Sequence, residues 1–492
     1  MTIVANKPEP IIYELGAPGR QGAALPSCDV PIARLPDHLL RDDLKLPEVA
    51  EVDVVRHFTR LSQKNYCVDL GIYPLGSCTM KYNPKINEEA VKLPGFTSVH
   101  PYQSADDAQG ALQLMFELQE MLGEICGLPG VTLQPAAGAQ GELAGILIIH
   151  AYHKARKDTK RKKVIVPDSA HGTNPATSSM TGYEVVQVKS DARGNVDLNE
   201  LRKLADDEMV GLMLTNPNTL GLFEENIRAV CQIIHDAGGL VYGDGANLNA
   251  IVGVARPGDL GIDVLHSNLH KTFSVPHGGG GPGAGAVMVR QDLARFLPGP
   301  IVVKTRPERS RRTGRRYEFA MPRKSIGRVK SFYGNFLALV RAYVYISSFG
   351  KEHLHEIAED AVINANYLLA RLKGVYAAPF GNRVCKHEFV LTGTPFVEKY
   401  GVHTLDIAKR IQDYGFYPPT IYFPLTVPEC MMIEPTETES KQGLDEFADA
   451  LLKIAEEARA NPQLLHDAPH DAPITRLDDV KAARAPVLCY KG

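Results

Sequence analysis

The chain has 492 residues, of which 44% are hydrophobic and 23% charged, and its formal net charge is −3. This composition is typical of a globular protein and excludes a wholly disordered one. The nearly balanced charge gives no electrostatic drive toward nucleic acid or an anionic membrane. The longest apolar stretch, residues 143–149, is far too short to cross a bilayer.

The N-terminal residues and the cysteines favour a cytoplasmic protein. The first ten residues, MTIVANKPEP, lack the charged and apolar regions of a secretory signal, and they lack the Arg- and Ser-rich character of a transit peptide. The eight cysteines are scattered and form no C-x-x-C pair. In a chain of this size such a distribution indicates free thiols in a reducing compartment. We therefore expect a cytoplasmic protein, most simply an enzyme.

Four segments follow one another along the chain. Residues 1–105 are rich in Pro and Gly and are predicted to form an arm packed over a core. Residues 106–335 are predicted to form the large, cofactor-binding domain, because helical patterns there alternate with short apolar runs. Residues 336–460 begin with two long helical patterns and are predicted to form a smaller α+β domain. Residues 461–492 contain HDAPHDAP and are predicted to form an extended tail.

Short apolar runs in the large domain predict its strands. Several of them follow a helical pattern, as residues 226–237 precede LVYG. Short β-rich runs separated by helices predict a mainly parallel, doubly wound α/β sheet. Five such runs are KVIVP at 163–167, GLMLT at 211–215, LVYG at 240–243, DVLH at 263–266 and AVMV at 286–289.

The residues that follow these runs are the candidate site, because ligands bind at the carboxyl ends of the strands in an open α/β sheet. After residues 131–134, the small residues of PAAGAQGE open a helix, and such a helix start favours a bound phosphate. The candidates in chain order are Gly138, Ala139 and Gln140 at that helix, His171 after KVIVP, Asn216 after GLMLT, Asp244 and Ala246 after LVYG, and His270 and Lys271 after DVLH.

This ordered set matches the chemical groups of pyridoxal 5′-phosphate. Lys271 is predicted to form a Schiff base with the cofactor aldehyde, and Asp244 to keep the pyridine nitrogen protonated. His171 is predicted to stack on the ring, and Asn216 to hydrogen-bond the ring oxygen. His270 is a candidate for phosphate or proton contacts.

Other interpretations of single features are weaker. The glycine-rich run at 278–285 precedes a strand instead of opening a helix, which argues against a dinucleotide site. His266, His270 and His277 would need a helix to form a metal site, and the Pro and Gly content argues against one, so no metal is predicted. Residues 306–330 carry ten basic and two acidic residues. They are predicted to form a solvated loop, with a docking face for an acidic partner or contacts to a neighbouring subunit as open alternatives.

Several longer strings carry a resemblance to a known family. They are SNLHKTFSVPHGGGGPGAG, QPAAGAQGELAG, DSAHGTNPAT, YGDGANLNA, YPLGSCTMKYNP and MIEPTETES. These strings resemble the glycine decarboxylase, or P-protein, of the glycine cleavage system, and more narrowly subunit 2 of its two-subunit bacterial form. The resemblance runs from about residue 35 to the end of the chain.

The resemblance implies a fold type I, aspartate-aminotransferase-like α/β fold with its active site at a subunit interface. It implies pyridoxal-dependent decarboxylation of glycine, with transfer of the aminomethyl group to the lipoyl arm of H-protein, so that the enzyme is a glycine dehydrogenase. The family's sister subunit lacks the Schiff-base lysine, so the presence of Lys271 implies the catalytic half. An α2β2 heterotetramer with subunit 1 is implied as well.

Two alternatives stay open beside this resemblance. One is a generic fold type I aminotransferase or amino-acid decarboxylase that acts without a carrier protein. The other is a structural partner without enzymatic activity, which Lys271 argues against. One stretch departs from the family pattern: RRTGRRYEFAMPRKSIG is more basic than usual, which leaves the local contacts of this segment open.

Overall fold

A computed structural model describes residues 8–41, 44, 46–100, 102–277, 283–305 and 316–489. Most of the glycine-rich run, 278–282, and the first part of the basic segment, 306–315, lie outside the described residues. No helix among the described residues combines the length and the apolar character that crossing a bilayer requires.

The N-terminal segment contacts both halves of the molecule. Its helix α2 packs against a long helix of the C-terminal half, where Glu88 accepts from Nε and Nη2 of Arg341 at 2.7 and 2.8 Å. Ile72 is buried among residues of the C-terminal core. The three helices of this segment are α1 (Glu51–Gln63), α2 (Lys85–Val91) and α3 (Pro94–Thr97).

A seven-stranded sheet forms the centre of the large domain, in the order β1-β7-β6-β5-β4-β2-β3. Neighbours among β2 to β6 pair in parallel, whereas β7 is antiparallel to β1 and β6. This confirms the mainly parallel α/β sheet predicted from the sequence. The strands are β1 (Gly130–Thr132), β2 (Lys163–Pro167), β3 (Glu184–Val188), β4 (Met209–Thr215), β5 (Leu240–Gly245), β6 (Val264–Asn268) and β7 (Gly285–Val289).

Helices cover this sheet with one apolar face each. In α8, Ile227, Val230, Cys231 and Ile234 recur at helical spacing and are the buried residues of that helix. Every residue of β4, β5, β6 and β7 is buried, which is why each of these strands contains an apolar run. The helices are α4 (Gln109–Cys126), α5 (Gly138–Ala155), α6 (Thr173–Met180), α7 (Leu198–Leu204) and α8 (Ile227–Asp236).

A two-stranded antiparallel hairpin follows, formed by β8 (Ile301–Thr305) and β9 (Arg316–Ala320). Its second strand lies inside the basic segment 306–330. The prediction of a loop is therefore wrong for these residues. The reason is that Tyr317 is buried and joins the main hydrophobic core, which fixes the strand against the domain.

The smaller domain packs helices around a three-stranded antiparallel sheet in the order β10-β12-β11. Two long helices lead into it, α9 (Phe336–His353) and α10 (Glu356–Leu372). Its strands are β10 (Phe389–Thr392), β11 (Thr420–Ile421) and β12 (Cys430–Ile433), and its remaining helices are α11 (Thr394–Tyr400), α12 (Thr404–Asp413), α13 (Lys441–Ala460), α14 (Pro462–His466) and α15 (Asp479–Arg484).

The last thirty residues are only partly extended. Helices α14 and α15 lie within 461–492, and Leu465 is fully buried in the smaller core. The prediction of an extended tail is therefore wrong for these helices, because an apolar side chain anchors the first of them. The domain boundaries drawn after residues 105, 335 and 460 stay a prediction.

Candidate active site

Asp244 lies at the carboxyl end of the central strand β5 and is only 3% exposed. Its Oδ1 accepts a hydrogen bond from the backbone N–H of Ala246 at 2.9 Å and lies 3.4 Å from His266 Nε2. Its Oδ2 accepts from Asn174 Nδ2 at 3.1 Å. Burial by itself raises the pKa of Asp244, but His266 and these donors outweigh it, so the pKa lies below its usual range.

A second buried carboxylate, Glu142, lies beside Asp244. The amide of Asn174 donates to both, at 2.9 Å to Glu142 and 3.1 Å to Asp244. The hydroxyl of Thr173 donates to the other oxygen of Glu142 at 2.6 Å, and the same hydroxyl lies 2.8 Å from His171 Nδ1. Burial, followed by the charge of Asp244, raises the pKa of Glu142 to about 7.

Lys271 follows β6 and lies close to these groups. Its Nζ donates to the backbone carbonyl of Ser77 at 2.7 Å. Its positive charge acts on the pKa of His171, Asp244 and Glu142. The structure thus brings together the three residues to which the sequence assigned the central roles, although they are 73 and 27 positions apart along the chain.

The pKa of His171 is lowered by burial, against the pull of the Asp244 carboxylate. The imidazole is therefore mainly neutral around pH 7. Phe423 lies edge-on to His171, with the two ring centroids 5.8 Å apart.

A strained backbone segment covers Lys271. Ser77 and Thr79 have φ angles of 65° and 45°, which residues other than glycine adopt rarely and at a cost of about 1–3 kcal/mol each. Two buried carboxylates hold this backbone: Glu388 accepts from the Ser77 N–H at 2.7 Å, and Glu434 from the Thr79 N–H at 3.1 Å.

The same segment continues into a buried ion pair. Lys81 Nζ lies 2.6 Å from Glu437 Oε1 and donates to the backbone carbonyl of Thr272 at 2.7 Å and to Tyr345 OH at 3.0 Å. Because Thr272 is the residue after Lys271, this pair fixes the main chain next to the lysine.

The start of α5 is tightly fitted to its surroundings. A Cβ on Gly138 would come within 3.0 Å of Asn268 Cγ, so a side chain at this position would displace Asn268. The Gln140 side chain accepts from the Ala136 N–H at 2.7 Å and donates to the Val329 carbonyl at 2.9 Å. Ala139 lies between Gly138 and Gln140 in the first turn of the helix.

Asn216 lies near the others, and its Oδ1 accepts from the Glu224 N–H at 3.0 Å. It lines the same small cavity as Asp244.

His270 faces a different cavity, of about 370 Å³, together with His277, Thr79 and Lys81. Its Nδ1 lies 3.2 Å from the Ala284 carbonyl, and burial lowers its pKa to about 4.

Sequence reasoning missed Glu142 and Asn174, and it considered His266 only as a metal ligand. Glu142 lies one turn into an otherwise apolar helix, and Asn174 lies inside α6, so neither directly follows a strand. A lone carboxylate in the run GELAGILIIHAYH was the available signal, because an unpaired buried acid needs partners.

The profile of the glycine cleavage system P-protein family matches residues 29–385, and that of the glycine dehydrogenase C-terminal domain matches residues 357–471. The probable glycine dehydrogenase (decarboxylating) subunit 2 of Alkaliphilus oremlandii is 57% identical over 479 residues, which cover 96% of each chain. The protein of the same name from Caldanaerobacter subterraneus is 57% identical over 485 residues, covering 97% of this chain and 98% of that one.

The chain belongs to the P-protein family of the glycine cleavage system. The family resemblance predicted from the sequence is thereby confirmed. A solved P-protein in inhibitor-bound form superposes with a TM-score of 0.71 at 22% identity, covering 85% of this chain and 93% of that one. Lactobacillus brevis glutamate decarboxylase superposes with a TM-score of 0.63 at 15% identity, covering 88% and 96%. These superpositions confirm the predicted fold type I class. The individual roles of Lys271, Asp244 and His171 stay predictions.

Proposed function

We propose that this P-protein family member is the catalytic, lysine-bearing subunit of a pyridoxal 5′-phosphate-dependent glycine decarboxylase. The proposed reaction releases the glycine carboxylate as carbon dioxide and transfers the aminomethyl group to the lipoyl arm of H-protein. The observation that carries the proposal is the convergence of Lys271, Asp244 and His171 at one edge of the sheet. The names of relatives matched over nearly the whole chain support the choice of glycine as substrate.

The residues present fit the cofactor. Asp244 is a buried carboxylate, and its two oxygens offer about four acceptor sites, so its existing bonds leave capacity for a protonated ring nitrogen. The fitted start of α5 offers backbone N–H groups and the positive end of a helix dipole to a phosphate. Thr272 Oγ1, next to Lys271, is buried without a hydrogen-bond partner among the described residues.

Each side chain then has a defined task. Lys271 supplies the amine that bonds the cofactor aldehyde, and the Ser77 carbonyl holds that amine in place beforehand. Asp244 stays ionised because its pKa is lowered, so it keeps a ring nitrogen protonated. When bound, the cofactor supplies an electron-accepting ring for the electrons of the broken bond. His171, neutral at pH 7, offers its ring face for stacking and a nitrogen for proton transfer.

The proposed partners follow from the same family. The relatives are named as subunit 2, which supports a subunit 1 with which this chain forms an α2β2 heterotetramer. Lipoylated H-protein is the proposed acceptor. Asn216, Ala246 and His270 are proposed to complete the cofactor contacts together with Gly138, Ala139 and Gln140.

The test is exchange of labelled bicarbonate into the carboxyl group of glycine. It uses the full chain with and without the sister subunit and lipoylated H-protein. We expect exchange only in the complete mixture. Lys271→Ala should abolish both the exchange and the borohydride-fixed cofactor, whereas Lys453→Ala, an exposed lysine on α13, should leave both unchanged.

The other outcomes decide against the proposal. Normal exchange by Lys271→Ala removes the lysine from the mechanism. Absence of exchange in the complete mixture, with cofactor still fixed at Lys271, assigns the chain to carrier-independent amino-acid decarboxylases or aminotransferases.

A further inference from the structure

One hydroxyl group joins Glu142 to His171. Thr173 Oγ1 lies 2.6 Å from Glu142 Oε1 and 2.8 Å from His171 Nδ1. The other oxygen of Glu142 is occupied by the amide of Asn174, at 2.9 Å. Glu142 is 4% exposed and Asn174 is fully buried, so the carboxyl group cannot exchange these partners freely for water.

A threonine hydroxyl carries one hydrogen and can donate it in one direction only. When Glu142 is ionised, its Oε1 can only accept, so the hydroxyl donates to it. The oxygen of Thr173 then has only lone pairs toward His171, and His171 must carry its proton on Nδ1. When Glu142 is protonated on Oε1, it donates to Thr173, and the hydroxyl turns to donate to His171. Nδ1 is then unprotonated and accepts this hydrogen bond, and the proton of the neutral ring is on Nε2.

We propose that Glu142 sets the tautomer of His171 through the hydroxyl of Thr173, with the carboxylate selecting the Nδ1–H form and the carboxylic acid selecting the Nε2–H form. Only one net proton is taken up, at Glu142, while the imidazole stays neutral and exchanges its own proton with solvent. The catalytic role of this tautomer change rests on the proposed function. The tautomer change itself does not depend on that function.

The surroundings of Glu142 place this switch in an accessible pH range. Asp244 and Tyr242 face it from β5, and His266 from β6, while Lys271 adds a positive charge. Burial, followed by the like charge of Asp244, raises the pKa of Glu142 to about 7. Since this shift is upward, the acid form persists through pH 6 and the carboxylate dominates above pH 8.

One further contact and the burial of His171 bear on the balance between the tautomers. The backbone N–H of Thr173 donates to His171 Nδ1 at 3.3 Å, which requires this nitrogen to be unprotonated. The contact therefore favours the Nε2–H tautomer, the form expected at low pH. Burial lowers the pKa of His171, so the ring is mainly neutral at pH 7 and above. The second ring nitrogen, Nε2, is therefore a hydrogen-bond donor in the low-pH form and a proton acceptor in the high-pH form.

Three substitutions separate the parts of this relay. In Glu142→Gln the amide of Asn174 requires an oxygen opposite it, so the new NH2 group faces Thr173 and holds the Nε2–H form at every pH. Thr173→Val removes the hydroxyl but leaves Glu142 in place. Thr173→Ser retains the hydroxyl and is the matched control.

The experiment is 15N NMR of the full chain labelled at histidine, without substrate. The ring signals of His171 are assigned by their loss in His171→Gln. In the wild-type chain we expect the Nδ1–H pattern above pH 8 to give way to the Nε2–H pattern as the pH falls through about 7. Thr173→Ser should keep this change, Thr173→Val should lose it, and Glu142→Gln should show the Nε2–H pattern throughout.

A His171 pattern that stays constant with pH in the wild-type chain overturns the proposal, as does an unchanged midpoint in Glu142→Gln or an imidazolium pattern at pH 7 and above. Because no reaction is measured, the result is independent of whether bicarbonate exchange occurs. Where exchange is found, its pH profile should lose the inflection near 7 in Glu142→Gln.

Discussion

Two buried glutamates hold the backbone beside Lys271, and burial works against their ionisation. It raises the pKa of Glu434 to about 7 and that of Glu388 well above its usual range. Both carboxyl groups are fully buried, and each accepts a hydrogen bond from a backbone N–H, Glu388 from Ser77 and Glu434 from Thr79. The cover over the lysine is therefore sensitive to pH.

At residue scale we predict that Glu434→Gln flattens the dependence of stability on pH. The folded chain keeps the proton of Glu434 up to about pH 7, whereas the unfolded chain releases it near 4.5. The folded state binds more protons between these values, so this contribution is fully present below pH 4.5 and lost as the pH rises through 7. A displacement of this size corresponds to about 3 kcal/mol.

The measurement is urea unfolding at pH 5 and pH 8. Glu434→Gln should gain stability relative to the wild-type chain at pH 8 and gain little at pH 5. Glu446→Gln, on the exposed side of α13, is the control and should be neutral at both. An equal effect of Glu434→Gln at the two pH values contradicts the prediction.

At the scale of elements, helix α5 approaches the sheet through its glycines. A Cβ on Gly145 would lie 2.7 Å from Cδ2 of Tyr242, whose hydroxyl bonds the His266 that lies behind Asp244. The close contact between this helix and β5 thus depends on the absence of a side chain.

We predict that Gly145→Ala destabilises the chain by about 1–3 kcal/mol, because the overlap displaces a buried ring. Alanine is the better helix former, so the matched change Gly110→Ala in α4, where nothing lies within 4 Å, should stabilise by up to about 1 kcal/mol. Thermal unfolding of the two variants measures the difference. If both variants gain stability, the close packing of α5 is not limiting.

The sequence predicts the buried strands well and the edge strands poorly. Strands such as β2 and β5 are apolar runs between helices, and that pattern is a direct result of burial on both faces. Strand β3 was not predicted, because it lies at the edge of the sheet and its Glu184 and Gln187 are exposed. Strand β9 was not predicted because its charged residues gave the pattern of a loop.

The candidate site likewise has a part that the sequence predicts and a part that it does not. Asp244, His171 and Lys271 were predictable, because parallel strands bring their carboxyl ends to one edge. The contact between Lys271 and Ser77 was not predictable. It depends on the path of the part of the N-terminal segment around Ser77, which has no periodic pattern.

At the scale of the whole molecule, Lys81 joins three parts of the chain. It links the N-terminal segment to Thr272 of the large domain, to Tyr345 on α9 and to Glu437 of the smaller domain. The side chains of the ion pair are 1% and 7% exposed, so removal of the cation leaves a buried charge without compensation.

We predict that Lys81→Met lowers the free energy of unfolding by about 3–5 kcal/mol. Lys85→Met is the control, because its pair with Asp69 is 58% and 51% exposed and contributes less than about 1 kcal/mol. Urea unfolding of both variants under the same conditions checks this. Similar small losses of unfolding free energy in the two variants would show that Lys81 does not stabilise the contact between these parts of the chain.

Glu388 accepts a hydrogen bond from Ser77, which precedes it by 311 residues in the sequence, and Glu434 accepts one from Thr79, which precedes it by 355. At a synthesis rate of about 5–20 residues per second, Thr79 waits on the order of 20–70 s for Glu434 to be made. The sheet that carries Lys271 ends at Val289, so it can form while the ribosome is still producing the rest of the chain. The lysine therefore acquires its cover late in biogenesis, and in a nascent chain stalled before residue 388 neither carboxylate is present to hold Ser77 or Thr79 over it.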